Sequence, residues 1–142
     1  MGSDSHRRVP LDPNLLVHDM VSQRVLYPSS AAFAPDPGED GLSVYRESLL
    51  TECGCDAAAV AGAGIKKATV AGVTDVVVNS TDLHITPDPQ PEPADIGPAH
   101  ALIQGWDGLS RKEARNRARA LARSSCCLHP EGPWEAIQLA SA

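Results

Sequence analysis

Residues 110–129 read SRKEARNRARALARSSCCLH, a dense basic run that passes without a break into two adjacent cysteines and a histidine. Ser110 is a favoured N-cap and Glu113, three positions on, completes the capping-box spacing, so a helix is predicted to begin where the cations begin. At about 100° per residue, Ala114, Ala118, Leu121 and Ala122 share one arc, while Lys112, Arg115, Arg119 and Arg123 share the neighbouring one. Alanines on the inner arc let such a helix lie close to a sheet, with Leu121 as its anchor. The stretch Ser125 to His129 then reads as a strand, whose alternation turns one of Cys126 and Cys127 inward and the other outward. One helix laid on strands through small residues predicts an α+β domain.

Upstream, Leu15 to Met20 is predicted as a strand, with Arg24 to Tyr27 as its hairpin partner and Ser22-Gln23 at the turn. Ser29 to Gly41, punctuated by Pro35, Pro37 and Gly38, reads as a surface loop, and Gly41 to Tyr45 as another strand. Between Arg46 and Ala63 helix formers alternate with glycines, and a helix is predicted over Asp56 to Ala61. Lys67 to Val73 and Asp75 to Asn79 are β-branched and predicted as strands, followed by Asp82 to Thr86. Pro87 to Pro98 is rich in proline and acid, predicting an extended connection over the surface, and Ala99 to Gly105 returns to strand. Residues 1–13 lack periodicity and are predicted to be a flexible lead-in to a single compact α+β domain over 14–142. That domain is expected to be a mostly antiparallel sheet with the C-terminal amphipathic helix on one face.

The chain has 142 residues, enough for one core, and only 4% aromatics, so the core must come from Val, Leu, Ile and Ala. Its formal net charge is −6, yet residues 110–123 hold six cations against Glu113, which leaves −11 on the remainder. A field of that shape disfavours nucleic acid and suits a small phosphorylated ligand or an acidic protein partner. Leu15-Leu16-Val17 is broken at once by His18 and Asp19, so neither a secretory leader nor a membrane span is predicted, and the expected location is cytoplasmic. In that reducing setting the four cysteines point to metal binding, reactivity or plain burial rather than disulfides.

Three kinds of site are open. The Lys112, Arg115, Arg119, Arg123 ridge is either a solvated flank or the face that meets an anion or partner, with Arg24 as a further anion ligand. Cys53, Cys55, Cys127 and His129 supply soft zinc ligands, although the spacing is poor, because structural sites favour cysteines with two to four residues between them in a tight turn. Catalytic candidates are His18 and His100 as acid or base, with Ser29 or Ser30 as a nucleophile near His18. No nucleophile elbow, P-loop, dinucleotide-binding turn or His-Glu-x-x-His occurs, and no cofactor is implied.

Several short stretches stand together: Val17-His18, Arg24-Val25, Ser29-Ser30-Ala31-Ala32-Phe33, Leu42-Ser43-Val44-Tyr45, Asp88-Pro89 and Pro98-Ala99-His100-Ala101. In these, and in Leu109-Ser110-Arg111-Lys112 and Cys127-Leu128-His129-Pro130, the chain resembles small uncharacterised bacterial proteins sharing a His, an S-S-x-A-F, an L-S-V and a P-A-H-A pattern. The resemblance implies no activity. It directs attention to His18, Arg24, Ser29, Ser30 and Ser43, where serines can donate to an oxyanion and Arg24 can clamp it, or where serines beside Pro28 close a turn. The leading expectation is a binding or accessory module that engages an acidic partner or phosphorylated ligand through the basic ridge. The alternatives are a small enzyme that acts on a nucleotide-like or other anionic substrate with a histidine acid/base, and a structural zinc protein.

Overall fold

Nine strands and four helices form among residues 4–62 and 68–139, the part of the chain described by the computed structural model. In chain order they are β1 (Ser5–Pro10), β2 (Leu16–His18), β3 (Val25–Pro28), β4 (Leu42–Arg46), α1 (Glu47–Glu52) and α2 (Ala57–Gly62). There follow β5 (Ala68–Val73), α3 (Asp75–Ser80), β6 (His84–Pro87), β7 (His100–Gln104), α4 (Arg111–Ser124), β8 (Cys126–His129) and β9 (Glu131–Gly132). Seven strands make one antiparallel sheet in the order β6-β7-β4-β1-β5-β8-β9, and β2 and β3 form a separate hairpin. The α+β class and the antiparallel sheet are as the sequence predicts.

The sheet's alternation makes two cores. On one face Val9, Val44, Ala71, Val73, Ala101 and Ile103 meet Ala118, Leu121 and Ala122 of α4 together with Phe33. Those three α4 residues are fully or almost fully buried, and the capping box that starts the helix is complete. Ser110 Oγ accepts from the Glu113 amide at 3.1 Å and the Glu113 carboxylate accepts from the Ser110 amide at 3.1 Å. These hydrogen bonds hold the Glu113 carboxyl below its ordinary range. On the other face Val70, with Tyr45 and Leu128 beside it, packs against Leu50, Val60, Ile96 and Ala99.

The lead-in is corrected from residue 5 onward: Ser5 to Pro10 is a central strand, paired with β5 along its whole length, whereas Met1 to Ser3 lie outside the described residues. Its pairing with β4 is brief, covering Ser5 opposite Arg46 and His6 opposite Tyr45. Beyond His6 the two strands part, and the Arg7 side chain bridges them, Nη1 donating to the Ser43 carbonyl at 2.8 Å and Nε to the Ala32 carbonyl at 3.1 Å. A guanidinium thus stands in for ladder hydrogen bonds, which is how a strand carrying two arginines can occupy the middle of a sheet. Burial lowers the Arg7 pKa from its usual value, with Glu39 and Asp36 acting in the opposite sense.

Three further expectations change. Asp75 to Asn79 is helical: the Thr74 hydroxyl caps α3 by accepting from the Val77 amide at 3.2 Å, and Asp75 sits in the first turn, so end chemistry overrides the β preference of three valines. Arg46 fixes that turn to the end of β4 through two hydrogen bonds to Asp75, 2.6 and 3.0 Å long. The loop at 29–41 is surface only in part, because a 3-10 turn over Ser30–Phe33 buries Ala32 and Phe33. Pro87 to Pro98 is a loop folded back on itself, with the Asp88 amide donating to the His100 carbonyl at 3.0 Å and the Gln90 amide to the Gly97 carbonyl at 2.9 Å. Ile96 plugs it into the second core, and a Cβ on Gly97 would collide with the Gln90 carbonyl oxygen, which explains the glycine. The predicted strand start at Lys67 lies outside the described residues.

His6 gives the fold a pH dependence. Its side chain is buried on β1, Nδ1 has no hydrogen-bond partner among the described residues, and burial lowers its pKa from 6.5 even though Glu47 and Asp4 favour the charged form. The unfolded chain takes up a proton as pH falls through 6.5 while folded His6 resists it, so stability is complete above that pH and is lost below it. The unfolding temperature is expected to fall between about pH 7 and pH 5, and His6→Gln to flatten part of that decline. Calorimetry over this range checks it; a wild-type curve with the same slope as the variant's would leave His6 without the role.

Candidate functional site: a Ser43, His100 and Asp88 array

The register of the sheet brings three polar residues into a line. Pro87 pairs with Ala101 across β6 and β7, and continuing that antiparallel register places Asp88 opposite His100. Tyr45 pairs with His100 across β4 and β7, so Ser43, two residues earlier, lies diagonally from the imidazole on the same face. The side chains meet accordingly. His100 Nδ1 is 3.0 Å from the Asp88 carbonyl oxygen and 3.1 Å from Asp88 Oδ2, and His100 Nε2 is hydrogen-bonded to Ser43 Oγ.

Both neighbours of Nδ1 are acceptors, so the proton belongs there and Nε2 is left to accept from the Ser43 hydroxyl. This is the arrangement of a nucleophile, a base and a group that orients the base. The His100 side chain is 11% exposed and Asp88 39%, which shields the imidazole but keeps the carboxylate partly hydrated. Tyr45 packs edge-on to the imidazole, ring centroids 5.3 Å apart and planes at 77°, and further restricts its orientation.

Ser43 also borders open space. Where β1 and β4 part, a cavity of about 280 Å³ is lined by Arg7, Arg8 and Pro10, by Ser43 and Tyr45, and by Ala31, Ala32, Ala34, Leu15 and Asp36. Arg7 is engaged by the Ala32 and Ser43 carbonyls, which leaves Arg8 as the guanidinium available to an anion there. The strand parting therefore both opens the cavity and supplies its positive wall.

Other sequence-derived candidates fall elsewhere. His18 lies on β2 with Nδ1 buried and unpartnered, and no hydrogen bond among the described residues joins it to Ser29 or Ser30. Ser29 closes the turn after β3, its amide donating to the Leu15 carbonyl at 3.0 Å and its hydroxyl to the Asn14 carbonyl at 3.5 Å. Arg24 is exposed and reaches the C-terminal segment, donating from Nη1 to the Glu135 carbonyl at 3.3 Å. Nothing in these contacts joins Arg24 to the two serines.

The zinc set is not assembled. Cys55 packs at the margin of the core that holds Leu50 and Val60, whereas Cys127 is buried in the core on the opposite face, its Sγ 3.1 Å from the Pro130 carbonyl. Cys126 is exposed, as strand alternation predicts, and among the described residues no group of three or more His, Cys, Asp or Glu side chains is arranged to hold a metal ion. Burial raises the thiol pKa of both Cys55 and Cys127, which keeps them in the less reactive protonated form.

Lys112, Arg115, Arg119 and Arg123 are all exposed along α4, and among the described residues none of them has a carboxylate within ion-pair distance. Arg123 lies over the Tyr27 ring, 5.8 Å from its centroid, and Arg117 instead reaches the Asp82 carbonyl at 3.4 Å. No helix among the described residues is long and apolar enough to cross a membrane. Comparison of the chain with protein-family models, curated proteins and solved structures finds no match.

Proposed function

We propose that the protein is a small enzyme of acyl-transfer or hydrolytic type, with Ser43 as nucleophile, His100 as general base and then general acid, and Asp88 as the group that orients His100. The observation that carries this reading is the continuous hydrogen-bonded line from Asp88 through His100 to a serine that borders a cavity. It takes the enzymatic alternative over the binding module because this geometry specifies a role for each atom. In the reaction, Ser43 Oγ attacks an acyl carbon while its proton passes to His100 Nε2. The leaving alkoxide takes that proton, and a water activated by the same nitrogen then releases the acid and restores the hydroxyl. The cavity, near the lower end of the volumes that hold small molecules, suits a short acyl group, and Arg8 favours one bearing a carboxylate or phosphate. Four free thiols fit a reducing, cytoplasmic setting.

The test needs no knowledge of the substrate. An alkyl fluorophosphonate reacts with an activated serine by forming an Oγ–P bond, fluoride leaving as the proton moves to the base. Peptide mass spectrometry is expected to place the adduct on Ser43, and Ser43→Ala to abolish it while the chain stays folded, the unfolding temperature falling only by the few degrees that one lost hydrogen bond costs. Adducts spread evenly over exposed serines, or no adduct at all, would end the reading.

A further inference from the structure

The cationic side of α4 stands beside a second cavity, which shares Ala31 and Ala34 with the first but none of Ser43, His100 and Asp88. A space of about 280 Å³ opens between the first turns of α4 and the 3-10 segment, walled by Ala31, Ala34, Ala114 and Ala118 with Arg111 and Arg115 beside them. Arg115 belongs to both features: it lines the apolar space and forms part of the ridge with Lys112, Arg119 and Arg123. Those four cations follow one another at three- and four-residue steps, so they form a single row roughly 16 Å long at 1.5 Å per residue. Glu113, the acid within this run, is turned to the Ser110 amide and does not neutralise the row.

We propose that this face binds an acidic linear segment of a partner protein, with one apolar side chain in the alanine-walled space and carboxylates along the row. An extended peptide advances about 3.3 Å per residue, so about five residues match the row's length. Arginine forks pair with carboxylates bidentately, and an unneutralised positive row in a chain of net charge −6 selects for an acidic partner. Duplex nucleic acid fits less well. The rest of the chain carries the opposing negative field, and an apolar socket offers nothing to a phosphate backbone.

Panning a random peptide-display library on the intact chain tests this directly. The enriched sequences are expected to hold acidic residues on both sides of a Leu, Ile, Met or Phe. A synthetic peptide of the enriched type should bind at least tenfold more weakly to Arg115→Glu/Arg119→Glu, and more weakly as salt is raised. The unfolding temperature of that variant should stay near the wild-type value, because both side chains are exposed and make no hydrogen bond among the described residues. Ser43→Ala should bind the peptide as wild type does, which separates this proposal from the enzymatic one. Failure of any sequence to enrich, enrichment without acids, equal binding by the reversed variant, or tighter binding of a DNA duplex at the same salt would each overturn it.

Discussion

His100→Ala is expected to lower the rate of Ser43 modification by roughly 10²–10⁴-fold, the range that a positioned general base supplies. Without Nε2 the hydroxyl proton has no acceptor in the array, and the serine falls back to the reactivity of an ordinary alcohol. Asp88→Asn should do much less. In serine proteases the corresponding change costs about 10⁴-fold because the imidazole adopts the wrong tautomer. Here the backbone carbonyl of Asp88, 3.0 Å from Nδ1, remains after the substitution and continues to accept that proton. The expected loss is about tenfold, from weaker stabilisation of the imidazolium alone. Stopped-time labelling of the two variants, followed by intact mass, measures the ratio. Equal losses in both would mean that the carboxylate, and not the carbonyl, sets the tautomer.

Arg7→Met is the second large effect, and it acts on stability. Methionine keeps most of the aliphatic stem but removes both donors, leaving the Ala32 and Ser43 carbonyls each short of a partner at a mostly buried position. At about 1–2 kcal/mol for each acceptor the cost is roughly 2–4 kcal/mol, or on the order of 10 °C in unfolding temperature for a chain of this size. Since Ser43 is one of the two acceptors, phosphonylation should slow as well, even below the transition. Chemical denaturation and the labelling rate are the two readouts. A variant as stable as wild type would show that the strands part without needing the guanidinium.

How much of this was legible beforehand varies with how local the determining physics is. α4 and its cap were readable because Ser110, Glu113 and the alanine spacing all lie within a few turns of one another. β8 with its alternating cysteines was readable for the same reason. β1 was not. Arg7 and Arg8 give it no apolar alternation, and it is a strand because β5 and β4, distant in sequence, accept it. α3 misled through its valines, of which Val76 is 75% exposed, although Thr74-Asp75 carried the cap signal.

The site was half visible. The sequence points to His100 and Ser43 on separate grounds, and closeness in sequence pairs Ser29 with His18 instead. Asp88 stands in the sequence only as part of Asp88-Pro89, and the prolines around it read as a loose connection that gives it no role. Only the hairpin register of β6 and β7 brings it opposite His100, and register between two strands joined by a long loop is not written in either strand alone.

The position of β1 has a consequence for how the molecule is made. β1 is the strand on which both halves of the sheet converge, yet its partner at Ala68–Val73 is synthesised some sixty residues later. Pairing across such a separation carries a large loop-closure entropy and places this domain among the slower folders. The arginines of β1 must therefore stay hydrated until later strands arrive to claim them.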